Sequence, residues 1–356
     1  MAITGNKGEW SEIYAFLRLL ADGKLFAADE QLNCISSIFF PIMKIIREET
    51  LGKTYEYRPD MNNTVIEIYL NDRQLLRLPA TKFDAEANHL YDAVNAKRGV
   101  FKVARTETFI RSIYITKLKA SSADKSDIKI QIHDVYTGYE NVVGFSIKSE
   151  LGNSPTLLNA GRTTNFIYNV EGLVAKHISQ INAINTQTKI IDRMKAISEA
   201  GGRLNFETME NETFRENLYM IDSQMPSIVA EMLSGYYAKI ATDCEELTDY
   251  VIRINPLSRS ADFYKHKIKE MLCAIALGMK PATKWNGTDE ASGGYIIVKT
   301  NGDVLAYHIY NRDAFKGYLL KNTKLDRAST SRHDFATLYE ENGKIKIKLN
   351  LQIRFI

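Results

Sequence analysis

Asp134, Ser146 and Lys148 are the residues of this chain whose types and spacing best suit chemistry. They lie in the segment 127–152, DIKIQIHDVYTGYENVVGFSIKSELG. Ile128, Ile130 and Ile132 alternate as in a half-buried strand that ends on His133-Asp134. A glycine-containing turn follows, and a second apolar strand over 142–147 delivers Ser146 and Lys148. Two residues apart on a strand, these side chains leave the same face. Asp134, at the end of the neighbouring strand, is expected to point into the same space. A carboxylate and a lysine held together this way suit metal-assisted phosphodiester hydrolysis, the acid binding a hard cation and the lysine orienting or activating a water. The same pairing also occurs as a plain surface ion pair. Two neighbouring features favour chemistry. Val142-Val143-Gly144-Phe145 is apolar enough for a central strand, so Lys148 emerges from the core. Residues 152–166, GNSPTLLNAGRTTNF, then offer many short polar donors to phosphates or base edges.

The rest of the chain must position these groups. Its 356 residues suffice for one large domain or two modest ones, and 45% apolar with 25% charged residues is ordinary for a globular protein. A net charge of +3 and a pI near 8.5 permit nucleic-acid binding through a local patch without requiring it. Cys34, Cys244 and Cys273 are scattered, odd in number and without CxxC spacing, which predicts buried free thiols rather than a disulfide framework or zinc site. The six histidines form no HExxH cluster, and His133 is the one that lies beside a candidate acid. No apolar run reaches membrane-spanning length and the first residues lack a signal-peptide core, so a soluble cytoplasmic protein is expected.

Helical periodicity is predicted over 9–21, 84–97, 106–117, 173–184, 188–200, 211–241 and 263–277, with a kink or restart at Pro226. Residues 38–78 read as β-rich, broken by Asn, Asp and Gly turn signals. Near the end, 295–299 and 304–310 predict a hairpin about Asn301-Gly302-Asp303, followed by a helix over 313–320. A second hairpin, 337–340 with 344–355, turns at Glu341-Asn342-Gly343.

Residues 6–12, NKGEWSE, carry K-G-x-x-x-E at the start of the first helix. With Asp134 and S-x-K at 146–148 this resembles the PD-(D/E)XK nucleases, in which a first-helix glutamate leans over the metal site. The longer segments NKGEWSEIYAFLRLLADGKLFAADE, FRENLYMIDSQMPSIVAEML, YHIYNRDAFKGYLL and STSRHDF are similar to the HpaII family of type II restriction endonucleases, which cut duplex DNA at CCGG. The resemblance implies an α/β (α+β) fold with a mixed central sheet flanked by helices, an N-terminal β-rich insertion at about 38–80 and C-terminal hairpins. It implies a nuclease core over 1–170, and over 171–356 a helical middle and hairpin region that completes a DNA-binding cleft. Mg2+ is the implied cofactor. No nucleotide is implied, since the chain contains no GxxxxGK[ST].

One departure matters. Ser146 stands where the superfamily carries Asp or Glu, so the second acid must come from elsewhere. Glu12 is the first choice, with Glu9, Glu150 and Glu107 as alternatives. Asp134 and Glu12 are thus the expected metal ligands, Lys148 the water-activating group, and Ser146 a hydrogen-bonding partner to a water. Reading CCGG needs donors to guanine N7 and O6. Asn159, Arg162, Arg327, Arg332 and His333, in loops rich in Ser, Thr and Asn, are the candidates. A palindromic site suits two symmetric copies, as a homodimer or as monomers acting in turn, and a cytosine methyltransferase as the protecting partner. Two rival readings remain: a non-catalytic DNA-binding protein on a degenerate scaffold, and a repair or structure-specific Mg2+ nuclease.

Overall fold

The computed structural model describes residues 2–119, 126–135, 138, 140–308 and 311–356. In chain order it begins with α1 (Lys7–Asp22), β1 (Lys24–Ala28), β2 (Cys34–Thr50), β3 (Lys53–Pro59), β4 (Val65–Leu70) and β5 (Arg73–Pro79). Next come α2 (Ala80–Ala96), α3 (Ala104–Ser112), β6 (Ile128–His133), β7 (Glu140–Ser149), β8 (Thr156–Leu158) and β9 (Asn165–Glu171). The middle holds α4 (Ala175–Asn182), α5 (Lys189–Glu199), β10 (Arg203–Met209), α6 (Glu212–Tyr219), α7 (Met225–Tyr237), α8 (Cys244–Ile254) and α9 (Ala261–Leu277). The chain closes with β11 (Gly294–Val298), β12 (Val304–His308), α10 (Arg312–Lys321), β13 (Thr323–Leu325), α11 (Thr330–His333), β14 (Leu338–Glu341), β15 (Lys344–Asn350) and β16 (Ile353–Phe355).

Contacts divide the chain into two compact units, Met1–Pro155 with Asp289–Tyr318, and Thr156–Thr288 with Leu319–Ile356. The sequence suggests a single division near residue 170. The contacts instead place the boundary at Pro155/Thr156 and return 289–318 to the first unit, because β11 and β12 pair with strands of its sheet.

The first unit is built on a nine-stranded sheet in the order β1-β12-β11-β7-β6-β2-β3-β4-β5. Pairings β1–β12 and β11–β7 are parallel and the others antiparallel, which is the mixed sheet expected. The β-rich segment supplies β2 to β5 and extends the sheet on one side. β7 sits well inside it, between β11 and β6, as its apolar run requires. α1 starts where Asn6 and Glu9 form a reciprocal capping box and stops at Gly23, whose left-handed backbone (φ 65°) returns its N–H to the Leu19 carbonyl. Its stripe of Trp10, Ile13, Phe16, Leu17 and Leu20 is buried in the same core as Ile128, Ile130, Phe145 and Ile147. The hairpin between β11 and β12 turns at Gly302 (φ 92°). Tyr14 of α1 and Tyr91 of α2 donate to the Gly302 and Thr300 carbonyls at 2.5 and 2.6 Å.

The second unit holds an antiparallel sheet, β10-β9-β15-β14, and a small one, β13-β16-β8, with α4 to α9. Buried tyrosine hydroxyls tie helix to sheet: Tyr168 donates to the Ala230 carbonyl at 2.8 Å and Tyr237 to that of Asn350 at 2.9 Å.

Several expectations are corrected. α3 ends at Ser112, and Tyr114 turns the chain with φ 70°, so 106–117 is not one helix. Residues 165–171 and 203–209 pair as strands, and 244–254 is a further helix. The long final strand is two, β15 and β16, in different sheets. As expected, the region 211–241 restarts at Pro226, which lies in the first turn of α7, where a missing N–H costs nothing. Cys34 is exposed, while Cys244 and Cys273 are buried. Among the described residues no helix is long and apolar enough to cross a membrane.

Candidate active site

β6 and β7 are antiparallel, with Ile128 opposite Phe145 and His133 opposite Glu140. This register decides which acid meets the lysine. Asp134 flanks the turn end of the pair, beside Glu140, whereas Ser146 and Lys148 lie at its open end. The residue opposite Ser146 is Asp127, one position before β6 begins. Its Oδ2 accepts the Ile147 amide at 2.7 Å and the Ser146 hydroxyl at 3.2 Å, so the carboxylate takes over the ladder where the strand starts. Gly144 lets the preceding residue come close, since a Cβ there would stand 2.6 Å from that of Ser126.

Glu12 approaches from α1. With Phe16, one helical turn later, it lines a cavity of about 120 Å³ that also includes Ser126, Asp127, Arg47 and Lys129. α1 is pinned to the end of β7 by the Ser149 hydroxyl, 2.8 Å from that of Ser11. Burial first, and the Asp127 charge second, push the Glu12 carboxyl up to about 8; Lys119, Arg47 and Lys148 oppose this with positive charge. Glu12, Asp127 and Lys148 therefore share one electrostatic neighbourhood, with Ser146 hydrogen-bonded to its centre.

The structure thus brings together Glu12, Ser146 and Lys148 of the expected set but not Asp134. Asp134 is buried, 4% exposed, and its charge acts on His308 of β12. The other candidate glutamates are engaged elsewhere. Glu9 accepts the Asn6 amide in the capping box at 2.9 Å, Glu107 pairs with Arg111 at 2.9 Å, and Glu150 accepts from the Thr300 amide at 3.3 Å. Asp127 is not among the sequence candidates, although a signal for its position exists. In any two-stranded antiparallel pair, the start of the first strand lies beside the end of the second, so Lys148 should have been matched with the acid before Ile128.

A hard dication fits this donor set. Glu12 and Asp127 are oxygen donors whose mutual repulsion, visible in the raised Glu12 carboxyl, is what a bound cation would relieve. Mg2+ needs only one or two carboxylates and keeps several waters. Among the described residues no group of three or more His, Cys, Asp or Glu converges as a metal-binding set.

The expected base readers all fall in the second unit. Asn159, Arg162, Arg327 and Arg332 are exposed and His333 is half-buried. Asn165 and Asn350, opposite one another on β9 and β15, bond to the backbone of both the 159–162 loop and α11. Arg327 stands apart from that contact, beside a cavity lined by Tyr236, Lys239 and Lys324.

A profile of the HpaII restriction endonuclease family matches residues 6–355. The type II restriction enzyme HpaII of Haemophilus parainfluenzae is 40% identical over 362 aligned positions, covering 99% of this chain and 99% of its own. No solved structure is significantly similar.

Proposed function

The chain belongs to the HpaII restriction endonuclease family and is a type II restriction endonuclease acting on DNA, and from that premise we propose that it cleaves duplex CCGG sites by Mg2+-dependent phosphodiester hydrolysis. The observation that carries the chemistry is Asp127 hydrogen-bonded to Ser146, with Glu12 facing it and Lys148 within electrostatic reach. A serine at 146 removes one strand carboxylate, and Glu12 from α1 replaces it. This argues against a degenerate, non-catalytic scaffold.

Glu12 and Asp127 would hold the cation, which when bound supplies Lewis-acid stabilisation of charge on the phosphate and the leaving oxygen. The Ser146 hydroxyl and the Ile147 amide both donate to Oδ2 of Asp127 and so hold its carboxylate in place, leaving Oδ1 as the oxygen that would bind the cation. Lys148 would orient the attacking water toward phosphorus; a new P–O bond forms as the bond to the leaving oxygen breaks, the water's proton passing to solvent and the leaving oxygen taking one up from solvent. Glu12 must give up its proton to act as a ligand, a step that the cation's charge favours.

Asn159, Arg162, Arg327, Arg332 and His333 supply the donors and cations for reading and holding DNA, with arginine suited to the paired acceptors of guanine. The palindrome favours two copies per site, as a homodimer or as monomers acting in turn. A cytosine methyltransferase would protect the host. A 5-methyl group on the inner cytosine projects into the major groove, and each lost base-pair recognition costs ~1–3 kcal/mol.

The test is a plasmid digest with and without Mg2+, on unmodified DNA and on DNA methylated at the inner cytosine of CCGG on both strands. Discrete fragments ending at CCGG, dependent on the cation and absent from methylated DNA, are expected. No cleavage would favour a binding protein, and cleavage without discrete fragments a repair or structure-specific nuclease.

A further inference from the structure

Two segments of the second unit that are far apart in sequence, the loop 159–162 and the segment 329–333, are joined beneath the surface by one pair of side chains. Asn165 opens β9 and Asn350 closes β15, and the two are cross-strand partners. Both are fully buried, at 0% and 1% exposure. Asn350 Nδ2 donates to the Gly161 carbonyl and to Asn165 Oδ1, both at 2.7 Å, and to the Thr164 hydroxyl at 3.1 Å. Asn165 Nδ2 donates in turn to the His333 carbonyl at 2.9 Å and to Glu210 Oε2 at 2.7 Å. A continuous hydrogen-bonded path therefore runs from the backbone beside Arg162 to the backbone beside Arg332. Among the described residues neither exposed guanidinium is held by a partner within the chain, so each is free to meet an external acceptor.

A pair serving only stability would not need this arrangement. Among the described residues Asn350 Oδ1 is buried without a hydrogen-bond partner, a cost that an apolar cross-strand pair would avoid. The amides do what apolar side chains cannot: they grip two backbone carbonyls and fix the distance between two loops. Recognition by paired donors is sensitive to such distances, because an arginine shifted by about an ångström loses its geometry toward a base edge.

We propose that Asn165 and Asn350 are positioning residues for sequence recognition, locking the 159–162 loop and the 329–333 segment into one reading surface so that site discrimination depends on them. This rests on the restriction-enzyme reading above but not on the identity of the site. The experiment compares kcat/KM on a duplex carrying the sequence that the wild-type protein cuts with kcat/KM on duplexes altered at one base. It uses wild type, Asn350→Ala, the milder Asn350→Ser, Asn165→Ala, and Tyr168→Phe as a control that loses a buried hydrogen bond elsewhere in the same unit. Thermal unfolding is followed in parallel. All the variants are expected to melt earlier. The asparagine variants should lose about tenfold or more in discrimination, the scale of one base contact, mainly through KM with kcat retained. Tyr168→Phe should keep wild-type discrimination. Should Asn350→Ala fail to fold, Asn350→Ser and Asn165→Ala carry the comparison. Asparagine variants that are destabilised but discriminate like wild type would overturn the inference while leaving the restriction reading intact. A wild-type protein that cuts no DNA would overturn both.

Discussion

Replacing Asp127 by asparagine, beside the matching change at Asp134, decides which acid serves the site. Asparagine keeps the shape of the side chain, and its remaining oxygen can still accept the Ile147 amide and the Ser146 hydroxyl, now at 2.7 and 3.2 Å from Oδ2. What disappears is the charge. Cation-borne stabilisation is worth several kcal/mol, and at 1.36 kcal/mol per decade a loss of about 3–5 kcal/mol slows cleavage by about 10²–10⁴. Asp134 stands seven positions further along the chain, at most about 23 Å at about 3.3 Å per residue, past the end of β6 opposite to that beside Ser146 and Lys148. Asp134→Asn should therefore cleave within a few-fold of wild type, although its burial makes a lower melting temperature expected. Single-turnover cleavage of a plasmid carrying the site, with melting curves for each variant, reads both effects. Asp127→Asn cutting near the wild-type rate, or Asp134→Asn failing while still folded, would refute the register argument.

Lys148→Ala should abolish cleavage yet bind the site nearly as wild type in a gel-shift assay, and cutting within a few-fold of wild type would remove it from the mechanism. Glu12→Gln should cost about 10²-fold or more in rate on the same several-kcal/mol scale, whereas Glu9→Gln, which can still close a capping box, should cost little; the reverse order in matched digests would mean that Glu9 is the ligand. His308 is held down to about 4 by burial, with the Asp134 charge opposing, against about 6.5 in an unfolded chain. The unfolded chain then binds more protons between those values, so this contribution is complete above about pH 6.5 and is lost as pH falls toward 4, on the order of 3 kcal/mol. Urea midpoints of wild type and His308→Gln between pH 7.5 and 4.5 should converge on acidification, and parallel curves would show that His308 is not the group responsible.

Local chemistry alone determined much of this protein. The Asn6–Glu9 box and Gly23 bound α1, the alternating isoleucines define β6, the apolar run makes β7 central, and Asn301-Gly302 turns the β11–β12 hairpin. Each depends on neighbours within a few residues, so each is legible from spacing. Family resemblance carried the restriction-enzyme reading and pointed to Glu12, Ser146 and Lys148 as site candidates. Sequence spacing favours Asp134, whereas the antiparallel register puts Asp127 at the Ser146–Lys148 end of β7; both acids flank the same strand, and only register tells the two ends apart. The strands at 165–171 and 203–209 are short, and their partners lie tens to nearly two hundred residues away, so the alternation of Phe166, Tyr168 and Val170 acquires its meaning only from the pairing. The return of 289–318 to the first sheet and the bond path between Gly161 and His333 through Asn165 and Asn350 are likewise long-range contacts. Their energies arise only when distant segments meet, so no local pattern records them and only the tertiary structure decided them.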